Sequence, residues 1–424
     1  MLAAAAAARL RFASAAAGRR LASSLAADES STSLVVRCPH TPGALEQCLR
    51  VFRLSAINIT RIESRPREDG QSFDIFLDVA GSRAPVSELS AKGFATTLLG
   101  PRTVPWFPRS VADLDAFAKS TLDAGAQLES DHPGFNDSDY RARRAAITAN
   151  AQRYRQGERI PEVEYSPAET RTWGVAYDEL KKRHPRLACD EYNAALRDLE
   201  ACGLYSRERI PQLWELSAFL EERTGFALRP VAGLLSSRDF LNGLAHRVFH
   251  ATQYMRHPSR PLYTPEPDAV HELMGHAPML CNEQFAAFSQ ELGLASLGAS
   301  DNDVKRLATC YWFSVEFGLV RQRGGLRAFG AGLLSSFGEL EYACESGKPE
   351  VRAWDPFAAA ELAYPITDYQ PVYFAADSLE HLVHSMRGFC EEGVRRPFRC
   401  RYDSKNQRVV TVDRMVRRQG SLPA

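Results

Sequence analysis

The residues Tyr263 to Pro278 read YTPEPDAVHELMGHAP, and a single acid, Glu316, stands further on inside the apolar run LATCYWFSVEFGLV. Pro265 and Pro267 suit the start of a helix, because proline fixes φ and has no N–H to lose there. Asp268 puts negative charge in the first turn, where the helix dipole favours it. Gly275 tolerates a left-handed cap and Pro278 opposes continuation, so the helix is predicted to stop at Gly275, with His276 just past its end. His271 and His276 are spaced i and i+5, roughly 140° apart on an unbroken helix. A break at Gly275 is what would let the two imidazoles converge. Two His and one carboxylate on one face of an octahedron leave three open positions, the arrangement of non-haem Fe(II) oxygenases. Glu316 is the candidate third ligand, since a charge among apolar neighbours needs a partner or a metal. The competing reading is two satisfied histidines and an acid paired with an arginine.

A chain of 424 residues with 45% hydrophobic content has room for two or three domains with cores. Lys+Arg 52 against Asp+Glu 52 gives zero formal charge, which points to neither nucleic acid nor an anionic membrane surface. The nine cysteines contain no C-x-x-C and read as reduced thiols. No apolar run is long enough for a transmembrane helix.

Residues 1–28 carry Arg9, Arg11, Arg19 and Arg20 among Ala and Ser, with no acid before Asp28. That is the make-up of an organelle transit peptide, or of a low-complexity tail. Mitochondrion is favoured over plastid, and cytoplasm stays open. Residues 33–105 read as a small α+β domain of βαββαβ pattern. Its helix from Gly43 shows Leu45, Cys48, Leu49 and Phe52 as one stripe. Glu68-Asp69-Gly70 makes a hairpin turn, Phe73 to Val79 alternates as a strand, and a second helix is predicted over Val86 to Leu98. Residues 112–413 read as a mostly α domain. It opens with a polar connector from Ala112 to Glu169 and turns helical from Thr172 to Thr224. A turn-rich surface loop is predicted after Arg229-Pro230, then helices over Asn282 to Leu297 and Asp301 to Val320. A hairpin, Phe398 to Tyr402 with Val409 to Val412, closes the domain, leaving a short tail over 414–424.

YTPEPDAVHELMGHAP, YWFSVEFGL and AFGAGLLSSFGELEY resemble the catalytic domain of the pterin-dependent aromatic amino acid hydroxylases, above all members acting on phenylalanine. The likeness runs from about His132 (HPGFNDSDYRARR) to about Asp413. Gly43-Ala44-Leu45 and Ile62 to Pro66 (IESRP) resemble ACT regulatory domains that sense phenylalanine.

The resemblance implies a helical basket around Fe(2+) held by His271, His276 and Glu316. It implies a tetrahydropterin (tetrahydrobiopterin) contacted by Gly233, Leu235, Ser237, Phe240, Leu241, His250, Glu272 and Tyr311, with Glu272 and Tyr311 in the catalytic chemistry. It implies that Arg256 clamps the substrate carboxylate with Thr264 and Ser335, a task suited to a planar guanidinium. The substrate ring would sit among Pro267, Trp312, Phe317 and Gly332. Ile366 stands where tyrosine hydroxylases carry an acid, and Trp312 where tryptophan hydroxylases usually carry Phe. Both favour an enzyme that converts L-phenylalanine to L-tyrosine with O2. The alternatives are tryptophan or tyrosine as substrate, or a folate as electron donor, since Asn242 and His246 depart from the family near the pterin loop. The terminal hairpin is a candidate homodimer contact. The chain stops without the family's long C-terminal helix, so a tetramer is not expected. Two other classes compete: a zinc hydrolase with Glu272 as general base, and a non-catalytic amino acid sensor.

Overall fold

Strand β1 (Ser31–Pro39), helix α1 (Ala44–Leu54), strands β2 (Ile59–Pro66) and β3 (Ser72–Ala80), helix α2 (Val86–Ala91) and strand β4 (Ala95–Pro101) form the first unit. The computed structural model describes residues 31–66, 70–81, 84–101, 105–116, 123–124, 132–365, 368–394 and 398–414. The leader over 1–28, the Glu68-Asp69 turn, Ile366 and the tail beyond 414 lie outside the described residues. The chain divides into two compact units between Trp106 and Phe107.

In the first unit all pairings are antiparallel, in the order β2-β3-β1-β4. Ile75, Leu77 and Val79 alternate onto one buried face, as a period of two requires. Two expectations change. The buried face of α1 is Ala44, Cys48, Val51 and Phe52, while Leu45 is exposed. Gly43, at φ 84°, starts the helix there and sets that register. Helix α2 ends at Ala91 rather than Leu98, because the chain turns at Gly93 with φ +85° and the Thr-rich residues after it become β4, paired with β1.

The second unit is mainly helical, as expected. Helices α3 (Ser138–Arg153), α4 (Pro167–Lys181), α5 (Asp190–Ala201) and α6 (Leu213–Thr224) come first. Helix α4 starts with a capping box between Ser166 and Glu169. The expected polar connector therefore contains α3, started by the Asp137 side chain accepting from the Asp139 and Tyr140 N–H groups. Its buried face holds Arg144 and Thr148 beside Ile147 and Ala151, so no apolar stripe announces it.

The predicted surface loop after Pro230 is instead buried. Ser236 caps helix α7 (Ser237–Ala245), whose residues from Arg238 to Ala245 are all buried. Helix α7 lies against a later helix so closely that a Cβ on Gly293 would come within 2.1 Å of the Ala245 N. A third difference concerns the ligand helix, α8. It runs unbroken over 269–280, with His271–His276 wound as a π turn and Ala277–Leu280 returning to α. Helix α9 (Glu283–Ser296) follows, carrying Gly293, and then α10 (Asp301–Tyr311). A second π segment, Trp312–Glu316, continues α10, and Leu319–Gln322 is a strand, not helix. That strand joins a four-stranded sheet of order 325–328, 319–322, 372–376, 350–353, which the helical pattern did not foretell. The hairpin of Phe398–Asp403 with Arg408–Arg414 is as predicted.

Candidate active site

A π turn advances by i to i+5 rather than i to i+4, so residues five apart come to one side. That is how His271 and His276 meet, without any break at Gly275. Gly275 has no left-handed φ. It is needed for another reason: a Cβ there would lie 2.6 Å from the Ala331 carbonyl oxygen, at the start of helix α11 (Ala331–Leu334). The glycine lets α11 press against the ligand helix.

The three predicted ligands converge. His276 Nε2 lies 3.0 Å from His271 Nε2, and Glu316 oxygens lie 3.3 Å from His276 Nε2 and 3.5 Å from His271 Nε2. One donor atom from each falls within 4.8 Å of the others, and all three residues are buried. Ser335 Oγ donates to the Ala331 carbonyl at 2.7 Å and so accepts from His271 Nδ1 at 2.9 Å. His271 Nε2 is thereby left as a bare lone pair aimed at His276 and Glu316. Two imidazole lone pairs and a carboxylate edge have little reason to crowd together except around a cation. Ligands at right angles, each ~2.1 Å from one metal, stand ~3 Å apart, close to these separations. Burial pulls the His271 imidazole down to about 4, keeping it neutral. Burial pushes the Glu316 carboxyl up, but the pull of His276 and His271, felt where those rings carry protons, outweighs it and brings it down to about 2, so it is already ionised where the rings are neutral. The donor set thus fits a divalent ion such as Fe(II).

Two cavities open on this triangle. The larger, of ≈ 350 Å³, is lined by Arg256, Thr264, Trp312, Phe317, Gly332 and Ser335, together with His271 and Glu316. Six of the seven residues expected around the substrate meet there. The seventh, Pro267, lines the other cavity. The Arg256 guanidinium is gripped by Asp268, with Nε and Nη2 each 2.8 Å from a carboxylate oxygen. Asp268 also accepts from the Arg256 and His271 N–H groups, at 2.9 and 3.1 Å. Burial raises the Asp268 carboxyl, but Arg256 overrides it and the carboxyl stays ionised. Trp312 stacks on Tyr364 at 4.5 Å and 14°, tilts against Phe317, and donates its indole N–H to Gln370 at 3.0 Å.

The second cavity is lined by Gly233, Leu235, Phe240, His250 and Glu272, with His271, His276 and Glu316. Of the predicted pterin contacts, Ser237, Leu241 and Tyr311 do not line it. Leu241 is wholly buried in α7, and Tyr311 stands edge-on to Phe240 with its hydroxyl beside Glu316. Burial pushes Glu272 up to about 7, while its carboxylate accepts from the Thr252 N–H and hydroxyl, both at 3.1 Å.

Sequence reasoning missed Thr252, Gln370 and Glu339. Each looks ordinary in its local stretch. Glu339 passes for a first-turn acid of helix α12 (Phe337–Glu345).

Comparison with known proteins gives three findings. Residues 105–420 match the model of the biopterin-dependent aromatic amino acid hydroxylase family. The phenylalanine-4-hydroxylases of Dictyostelium discoideum and Homo sapiens are each 47% identical, covering 88% and 90% of this chain and 86% of their own lengths. Among solved structures, Chromobacterium violaceum phenylalanine hydroxylase with bound iron(III) and 7,8-dihydrobiopterin aligns with a TM-score of 0.50 at 33% identity. It covers 54% of this chain and 82% of its own.

Proposed function

The chain belongs to the biopterin-dependent aromatic amino acid hydroxylases, and from that premise we propose how its residues divide the work. It is an Fe(II)- and tetrahydropterin-dependent monooxygenase that hydroxylates L-phenylalanine to L-tyrosine with O2. Bound iron and reduced pterin supply the electrons and the oxygen activation. The observation that carries the residue roles is a buried His, His, Glu triangle opening on two cavities, one holding Arg256 and the other Glu272.

His271, His276 and Glu316 hold the iron, and Ser335 keeps His271 in the tautomer that ligates. Arg256, pre-set by Asp268, takes the substrate carboxylate, with Thr264 beside it. Trp312 and Phe317 would hold the ring and exclude water in the cavity that the metal-facing His271 and Glu316 also line. On the other side, Phe240 and the Gly233–Leu235 backbone hold the pterin. Glu272, poised near neutrality, holds or passes a proton at its carboxyl. Purified protein given Fe(II), tetrahydrobiopterin, O2 and each aromatic amino acid in turn should yield tyrosine from phenylalanine, identified by mass. Preferential oxidation of tryptophan, or zinc-supported hydrolysis without pterin, would overturn this assignment.

The first unit is read as an ACT-like amino acid sensor. Its βαββαβ order and antiparallel sheet support that reading, and phenylalanine binding by the unit tests it. The Arg-rich, acid-free start supports delivery to the mitochondrial matrix, which imaging of residues 1–28 fused to a fluorescent protein tests. The hairpin of 398–414 is the proposed homodimer contact. Light scattering at micromolar concentration checks that, and a tetramer would contradict it.

A further inference from the structure

A free amino acid brings two charges into an apolar slot, and Arg256 answers only one of them. The ammonium group, once out of water, needs an acceptor, or binding loses the desolvation energy of a charge. The acids lining the larger cavity are Glu266, Glu316, Glu339 and Asp368. Glu266 is taken by Arg144 and His132. Glu316 belongs to the metal triangle. Asp368 is exposed. Glu339 is buried, lines the cavity, and has no cationic partner among the described residues.

Its two hydrogen bonds fall on one oxygen. Oε1 accepts from the Gln370 N–H at 3.1 Å and from the Tyr373 hydroxyl at 2.8 Å. A glutamine could accept both bonds through its carbonyl without burying an ionisable group. Among the described residues, the second oxygen and the negative charge therefore have no structural partner. We infer that Glu339 receives the α-ammonium group of the amino acid substrate, in the cavity where Arg256 takes the α-carboxylate. This rests on the reading of the substrate as phenylalanine. Burial holds the Glu339 carboxyl up at about 7 in the empty cavity, and an arriving ammonium would restore its charge.

A purely structural role is the competing explanation, because Gln370 links Glu339 to the Trp312 indole. Calorimetry on the Fe(II)-loaded, anaerobic full chain separates the two. The probes are L-phenylalanine and 3-phenylpropanoate, which differ only by the ammonium. Glu339→Gln should weaken phenylalanine binding by roughly tenfold or more, the usual worth of a charged hydrogen bond, and leave 3-phenylpropanoate unchanged. Glu339→Asp, which keeps the charge, should recover part of the preference. Gln370→Ala, which cuts the link to Trp312, should weaken both probes alike. Equal weakening of both probes by Glu339→Gln, or no change in either, would overturn the inference. So would equal affinity of the unsubstituted protein for the two probes. Phenylalanine turnover by the unsubstituted protein is scored separately, so failure of the substrate reading stays distinguishable.

Discussion

Asp268 gives one carboxylate to the Arg256 guanidinium, the Arg256 backbone and the first turn of the ligand helix. Asp268→Ala would leave Arg256 buried and unpaired, so the expected loss is roughly 3–5 kcal/mol of stability. Denaturant unfolding checks this, and a raised KM for phenylalanine should accompany it. Glu339 makes a pH-dependent contribution of the opposite kind. Its pKa rises from 4.5 to about 7 on folding, so its contribution is full below pH 4.5 and is lost as pH rises through 7. Glu339→Gln should remove that dependence. The variant should gain on the parent between pH 4.5 and 7, by roughly 3 kcal/mol at most, measured as the difference in unfolding free energy against pH. At this scale, His271, His276 and Glu316 were legible because rare residue types stood in an odd spacing among apolar neighbours. Gln370 was not, because its bond to Trp312 spans 58 positions and nothing nearby in the chain marks it.

Among the elements, the π turns decide whether the site exists. In α winding, a spacing of five would set His271 and His276 roughly 140° apart, so the wide turn is what brings both to the metal site. Gly275→Ala drives a methyl toward the Ala331 carbonyl and should cost roughly 1–3 kcal/mol in thermal unfolding, with weaker iron retention. Hydrophobic spacing revealed α4 and α5, which turn one apolar face inward. It failed at α3, where Arg144 is buried through its pair with Glu266, and at α7, which is buried on nearly every side. The expected break at Gly275 came from counting in ordinary turns; the wider turn solved the same spacing differently.

At the scale of the whole molecule, the boundary near 105–112 was readable as a change in pattern, and the structure sets it between Trp106 and Phe107. Residues 107–424 alone should fold and hydroxylate phenylalanine, as a product assay on the fragment will test. Loss of turnover there would tie the first unit to catalysis itself. The sheet that carries Leu319–Gln322 was hidden, because two of its pairings are parallel and join segments far apart in the chain. The wide winding around His271 and His276 also has a practical side. A protein engineer copying this three-point grip onto an idealised bundle could not simply paste the side chains in, since regular helices align positions four apart. One extra residue would have to be spliced in where the iron is to sit, and the rest of that helix would turn with it.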